Sequence, residues 1–143
     1  MKKITAIFCL VLLLALSGCE DPKDIVIKVD VPLQVTKNED FIITATVKNT
    51  ASTEQKLVSL DIGDEYLEGI AIVKTEPDNS ESRHVLIDNT VTYVFNIPIK
   101  SGEEIKVNFY AKALKKGDFN SEVDFCINKE TTFLSKSIRT VVQ

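Results

Sequence analysis

Strict alternation of apolar and polar residues runs through much of this sequence and leaves little choice of fold class. It is clearest in residues 41–48, 91–99, 105–113 and 123–127. Successive side chains of a β-strand point to opposite faces, so a period of two predicts strands with one buried face. Weaker candidate strands lie at residues 25–31, 56–62, 66–73, 83–87 and 132–142. No long segment after residue 25 has helical periodicity, and only residues 64–72 are ambiguous.

Short runs of turn-forming residues separate these candidate strands, with centres that include Asn79, Asn89, Gly102 and Gly117. Asn and Gly tolerate the backbone angles of tight turns, so they mark the ends of strands. About seven to nine short strands in a chain of this size are typical of two antiparallel sheets packed face to face. The sequence therefore predicts a single all-β domain over residues 25–143, an antiparallel β-sandwich of about 7–9 strands.

Composition restricts the function as well as the fold. The 143 residues are enough for one domain. Its core has to be aliphatic and phenylalanine-based, because the chain has no tryptophan. The formal net charge is −4 at pH 7, whereas nucleic-acid binding calls for a basic patch or stripe. We therefore expect no nucleic-acid partner and no electrostatic adhesion to anionic lipid.

Residues 1–18 are typical of a secretory leader. Lys2 and Lys3 are followed at residues 4–16 by an uncharged run that is apolar apart from Thr5. A basic start, a short apolar core and small residues are the parts of a signal peptide. The apolar run is shorter than the about 20 residues that a membrane-spanning helix needs. We therefore predict that this segment targets the chain for export and is not part of the folded domain.

The end of this leader, Leu16-Ser17-Gly18-Cys19, resembles the lipobox of bacterial lipoproteins. The resemblance implies that the Cys19 sulfur receives a diacylglycerol, that the preceding peptide is removed, and that the new amino group is acylated. Residues 19–24 are then a short tether. The location implied is the cell membrane or outer membrane, facing the periplasm or the cell exterior, and Glu20 in place of aspartate favours the outer membrane. The alternative is that Cys19 stays a free or disulfide-bonded thiol.

A second resemblance concerns the domain itself. Residues 41–50, which end in Thr46-Val47-Lys48-Asn49-Thr50, resemble the second strand of the immunoglobulin-like modules of bacterial exported proteins. Residues 114–125, with Gly117 and Phe119, resemble the corner before their sixth strand. Phe119 replaces the tyrosine of such corners, and no pair of cysteines is available for a disulfide within the domain. The resemblance implies an immunoglobulin-like β-sandwich and no particular activity, because this fold hosts many functions.

The sequence contains no recognisable catalytic set. His84 is the only histidine, and together with Cys126 it falls short of the several His or Cys ligands of a zinc site. Residues 61–68 hold four carboxylates around Gly63. Calcium favours oxygen-rich loops, but this spacing lacks the EF-hand order, so a solvated turn is the preferred interpretation. We predict a protein that is not an enzyme, with no cofactor and no metal site.

Two side chains are candidates for surface contacts, Cys126 and Tyr110. By alternation from Phe125 and Ile127, Cys126 points away from the core, where its thiol would be open to a partner. The alternative is that a neighbouring strand or a β-bulge shields this thiol. Tyr110 points outward beside Lys112 by the same alternation.

These observations predict a noncatalytic module, anchored to the membrane through Cys19, that binds a protein of the cell envelope or takes part in surface assembly. In an assembly role a partner strand would add to a sheet edge, for which residues 25–31 and 132–142 are the candidates. The alternative function is a surface lipoprotein that binds carbohydrate or a small ligand through exposed aromatic residues. With no tryptophan, its candidate residues are Tyr66, Tyr93 and Tyr110.

Overall fold

The computed structural model describes residues 22–143, so the predicted leader, Cys19 and part of the tether lie outside the described residues. The described chain forms ten strands and one short helix. They are β1 Ile25–Asp30, β2 Gln34–Val35, β3 Asp40–Asn49, β4 Gln55–Gly63, α1 Asp64–Leu67, β5 Ile70–Glu76, β6 Glu81–Val85, β7 Thr90–Ile99, β8 Glu104–Ala113, β9 Gly117–Ile127 and β10 Phe133–Val142. Over these residues, no helix has the length and apolar character to cross a membrane.

The strands form two sheets that pack face to face. The four-stranded sheet has the order β1-β3-β8-β5, and the six-stranded sheet has the order β2-β10-β9-β4-β7-β6. Neighbouring strands are antiparallel except β2 and β10, which are parallel. The predicted antiparallel β-sandwich is therefore confirmed, with ten strands where about 7–9 are expected from the sequence.

Three parts of the fold differ from the sequence-based prediction. Residues 66–73, expected as one strand, hold the end of α1 and the start of β5, because the chain makes a helical turn that buries Tyr66. The strand expected at residue 123 begins at Gly117. The additional strand β2 has two residues, which are too few to display a period of two.

The core lies between the sheets and is built from the apolar positions of the alternating segments. On β8, Val107, Phe109 and Ala111 are buried, and the residues between them reach the surface. The Phe109 ring meets the Tyr93 ring nearly at right angles with 5.2 Å between centroids. It meets the Phe95 ring in the same way at 6.2 Å. Because β8 and β7 belong to different sheets, this aromatic cluster holds the two sheets together.

The register gives the sandwich two ends. The N-terminal end is formed by residues 22–24 and by the loops at residues 50–54, 100–103 and 128–132. The distal end is formed by α1 and by the loops at residues 31–33, 86–89 and 114–116. A backbone bond of 2.8 Å from Thr50 N–H to the Asp24 carbonyl fixes the entering chain at the N-terminal end. Four exposed apolar side chains lie at the distal end: Leu33, Leu86, Ile87 and Leu114.

Candidate interaction surfaces

Tyr110 lies half-exposed on the outer face of the four-stranded sheet, on the side that alternation indicates. Its hydroxyl donates a 2.6 Å hydrogen bond to the Glu76 carboxylate, and this bond raises the pKa of Tyr110. The Lys74 ammonium sits 4.4 Å from the ring centroid, close enough for a cation–π interaction. The hydroxyl and one face of the ring are thus already engaged within the protein.

The groove beside Tyr110 is shallow and partly apolar. It has a volume of about 420 Å³ and is lined by Ile42 and Val73, which are 45% and 66% exposed. Val73 projects from the sheet because the register of β5 against β8 shifts between Ile72 and Lys74, as a β-bulge requires. This arrangement offers a small apolar contact to a partner, with few free polar groups to orient a sugar.

The other two tyrosines are not surface residues, so the prediction that they are exposed aromatics is wrong. Tyr66 is fully buried and Tyr93 is 8% exposed. The Tyr66 hydroxyl lies 2.8 Å from the Thr140 hydroxyl, which donates to the Pro32 carbonyl at 2.9 Å. Burial raises the pKa of both tyrosines to about 12. Tyr66 therefore links α1, β10 and the chain after β1 instead of contacting a ligand.

Cys126 is 1% exposed, so of the two interpretations of this residue, the solvent-facing thiol is wrong. It does lie on the outer face of the six-stranded sheet, where its register partner on β4 is the buried Ser59. The register of β4 against β9 shifts between Leu57 and Ser59, next to this position. The Cys126 thiol donates to an Asp61 carboxylate oxygen at 3.6 Å. The shielded alternative is therefore the correct one, and Cys126 is not a surface contact.

We expect Cys126 to resist thiol reagents in the native protein. Burial raises the pKa of this thiol to about 12, and the thiolate is the reactive form. Maleimide labelling of the full chain, quantified by mass spectrometry on the peptide that contains Cys126, should be at least about 100-fold slower in buffer than in urea. Equal labelling rates in the two solvents would contradict the buried position.

Within the acidic segment at residues 61–68, the carboxylates of Asp61 and Asp64 have different partners and do not share a site. Asp61 is half-buried on the outer face, where its Oδ1 accepts a 3.1 Å bond from the Ser59 hydroxyl. Asp64 lies in α1, and its Oδ2 is 2.6 Å from Nε2 of His84. Across residues 22–143 no group of three or more His, Cys, Asp and Glu side chains is placed to hold a metal ion. This segment therefore does not form a shared oxygen cage.

We expect Asp61→Asn to stabilise the protein near neutral pH. Burial, together with the nearby Asp124, raises the pKa of Asp61 above its ordinary 3.8. A carboxyl group whose pKa is higher in the folded state favours folding at low pH, and this contribution is lost as pH rises through the folded pKa. The gain from Asp61→Asn, measured by urea unfolding, should therefore be largest at pH 7 and vanish near pH 3.

Asp118→Asn is the control, and its effect on stability should have the opposite sign to that of Asp61→Asn. Arg139 donates to Asp118 at 2.6 and 2.8 Å and lowers the pKa of that carboxyl. Its contribution to stability is present above the unfolded pKa and is lost at lower pH. Asp118→Asn should destabilise at neutral pH and have no effect in acid. The same pH dependence for both variants would contradict the assignment.

A surface cleft of about 780 Å³ lies at the distal end and extends over β9 and β10. Five carboxylates line it, those of Asp64, Glu65, Asp88, Glu122 and Asp124. Its one arginine, Arg139, is paired with Asp118. The cleft is therefore acidic. The acidic residues come from α1, the β6–β7 turn and β9, so no single segment of the sequence predicts the cleft.

No protein-family model and no curated protein sequence matches this chain. Among solved structures, E. coli alpha-2-macroglobulin matches 84% of this chain over 7% of its own length, with a TM-score of 0.56 and 13% identity. The CARDB domain of the Pyrococcus furiosus PF1109 protein, solved in complex with di-metal ions, matches 84% of this chain over 88% of its length, with a TM-score of 0.51 and 12% identity. The fold is immunoglobulin-like.

A third structure, that of AvmM, which catalyses macrocyclization in alchivemycin A biosynthesis, matches 86% of this chain over 94% of its length, with a TM-score of 0.54 and 8% identity. Identities this low indicate shared architecture alone. The immunoglobulin-like sandwich described here thus resembles proteins of different kinds, and its function has to be argued from its own residues.

The corner before β9 of this immunoglobulin-like sandwich is held by packing. A Cβ atom placed on Gly69 would lie 2.0 Å from Cζ of Phe119, so the ring of Phe119 lies directly against the backbone of Gly69. The Phe119 ring can lie this close because Gly69 has no side chain. The contact is made by packing alone and needs no hydroxyl group.

Proposed function

We propose that this chain is a noncatalytic, lipid-anchored module of the bacterial cell envelope that binds another envelope protein. The observation that carries the proposal is the lipobox, whose Cys19 stands six positions before the start of β1 at Ile25. Six residues span at most about 21 Å. An anchor at Cys19 therefore keeps the N-terminal end of the sandwich close to the lipid headgroups and turns the distal end away from the membrane.

The anchor has to be covalent, because the acidic chain has little attraction for anionic lipid. Each buried methylene contributes about 0.8 kcal/mol, and stable attachment needs two acyl chains or one chain with a second signal. A cysteine that carries a diacylglycerol supplies two chains at once. This requirement fits the predicted modification of Cys19 and no other residue of the sequence.

Binding of another protein is supported by the distal end. Leu86 and Ile87, at the tip of the β6–β7 hairpin, are 77% and 89% exposed. Leu33 and Leu114 are exposed at the same end. Exposed apolar side chains next to charged residues are characteristic of protein contact sites, and Leu33 lines the acidic cleft together with Asp88. They lie where a partner would reach them without meeting the membrane.

The decisive experiment is the intact mass of the protein purified from its own membranes, compared with fractionation of a Cys19→Ser variant. We expect a mass that corresponds to the chain from Cys19 plus acyl groups, and release of the variant from the membrane fraction. An unmodified mass, or a variant that stays in the membrane, would overturn the anchor. Chemical crosslinking in whole cells should then capture one main neighbour.

A further inference from the structure

The outer edge of β10 is open over most of its length. β10 pairs with β9 at all ten residues from Phe133 to Val142. On its other side β2 pairs only with Val141 and Val142. Within residues 22–143, no strand pairs with the remaining edge at residues 133–140, and its last residue, Thr140, meets the chain after β1 through the bond of its hydroxyl to the Pro32 carbonyl.

The backbone groups that face this edge follow from the β2 contact. The N–H of Val141 donates to the Leu33 carbonyl at 2.9 Å, and the N–H of Gln143 donates to the Val35 carbonyl at 3.0 Å. The direction of the N–H and C=O groups repeats every two residues along a strand. The same groups of residues 133, 135, 137 and 139 therefore point out of the sheet. They offer a row of donors and acceptors, and β2 demonstrates that this edge accepts a strand.

The other three edges are less suited to an added strand. β1 has six residues and leads to Pro32. β5 carries the bulge at Val73 and is followed by Pro77. β6 has five residues. Short strands, bulges and prolines are the usual protection of sheet edges. β10 has ten residues, contains no proline and keeps an unbroken register with β9.

Lys136 decides which strand this edge accepts. It alternates with the buried Ile138 and Thr140, so it occupies an inward-facing position, yet it is exposed. β10 carries no acidic residue, and the cation of Arg139 is already paired with Asp118. Antiparallel pairing with a second copy would bring positive charges together across the new ladder, which is unfavourable. A carboxylate opposite Lys136, on a strand of a different protein, would make this interaction attractive.

We propose that the open edge of β10 is a docking site for an extended segment of another protein, which pairs as an additional strand of the six-stranded sheet and places a carboxylate opposite Lys136. Apolar side chains flank this carboxylate at alternate positions, next to the half-buried Leu134 and the buried Ile138. Like charges exclude a second copy, so one lysine provides both selection against self-pairing and attraction for the partner. This inference rests on the proposed function, which supplies an envelope partner.

The test is photo-crosslinking in whole cells with the full chain, using benzoylphenylalanine in place of Phe133 as the probe. Phe133 is 46% exposed at the start of the edge, so the aromatic replacement is conservative. We expect one crosslinked partner whose attached peptide alternates apolar and polar residues and contains an acidic residue. Lys136→Glu should lower the yield about tenfold, because it converts an attractive cross-strand pair into a repulsive one.

Three variants make the result specific. Lys136→Arg should keep the crosslink, since it keeps the charge. Lys106→Glu, the same charge change on the exposed outer face of the other sheet, should also keep it. Ser137→Pro should abolish it, because the N–H it removes faces the open edge and not β9. Thermal melts establish that each variant is folded, and if Ser137→Pro does not fold, the two Lys136 variants still decide the matter.

Other outcomes overturn the assignment. A crosslinked product with the mass of two copies of this chain would show self-pairing, and a yield that is insensitive to Lys136→Glu would remove the role of the charge. A second probe at Ile87 separates the two proposals. If Ile87 captures a partner and Phe133 does not, the proposed function keeps its partner and the β10 edge is wrong. If neither position captures a protein, the β10 docking site and the protein-binding part of the proposed function are both wrong.

Discussion

Phe109→Ala should lower the free energy of unfolding by about 3–5 kcal/mol. The ring is 1% exposed and is the centre of the aromatic cluster that joins β8 to Tyr93 and Phe95 of the opposite sheet. Removing it creates a cavity between two sheets whose backbones cannot close on it without breaking their ladders. For a domain whose total stability is about 5–15 kcal/mol, this loss is a large fraction of the total and should lower the urea midpoint strongly.

Phe133→Ala is the matched control, because it deletes the same atoms from a ring that is 46% exposed. Its cost should be about 1 kcal/mol, since roughly half of its surface stays in water and full burial of such a side chain contributes about 1.5–3 kcal/mol. Both variants are measured by urea unfolding of the full chain in detergent. Similar costs for the two would mean that the core is not organised around Phe109.

Replacement of Asn49 should be similarly damaging although the side chain is small. Asn49 is fully buried. Its amide donates to the carbonyls of Thr53 and Ile99 at 2.8 and 2.9 Å, and its carbonyl accepts the N–H of Ala51 at 2.9 Å. Each buried polar group that is left without a partner costs about 1–3 kcal/mol. Asn49→Ala should therefore cost about 3 kcal/mol or more, by urea unfolding.

Asn49→Asp has nearly the same shape and separates hydrogen bonding from packing. The carboxylate still accepts from Ala51, but it turns an oxygen toward two carbonyls and buries a charge, so the loss at pH 7 should match or exceed that of Asn49→Ala. At low pH the carboxyl group is protonated and can donate one hydrogen bond. The loss of stability relative to the parent should then become smaller. Asn108→Ala, which removes a bond to Thr44 on the outer face, should cost about 1 kcal/mol or less. An Asn49→Asp variant as stable as the parent would refute this account.

The faces of the long strands could be predicted from the sequence because burial there follows strict alternation. Phe41, Val107 and Phe125 all point inward as the period of two requires. Alternation also predicts correctly the face of the sheet on which Cys126 lies. It does not predict how exposed the side chain is, because its neighbours on β4 are far away in the sequence. The pattern around Tyr66 is ambiguous and favours a strand, because a single helical turn is too short to produce a period of its own.

The candidate surfaces divide in the same way. Tyr110 could be found from local pattern, since it stands between two inward residues of β8. The groove beside it could not, because Val73 projects only through a bulge in β5. Asn49 belongs to a segment that resembles other immunoglobulin-like modules, yet its three hydrogen bonds reach loops that only the fold brings together. The open edge of β10 depends on the shortness of β2, which has no sequence signature.

The pairing of β1 also determines how the domain bears mechanical load. β1 enters at the N-terminal end and runs along β3 in six consecutive antiparallel pairs, from Ile25 opposite Asn49 to Asp30 opposite Thr44. Its hydrogen bonds lie perpendicular to the strand axis. A pull on the chain before Ile25 acts along that axis, so it shears all six pairs at once and does not peel them apart one by one. The first strand of the domain is thus attached in the geometry that best resists tension.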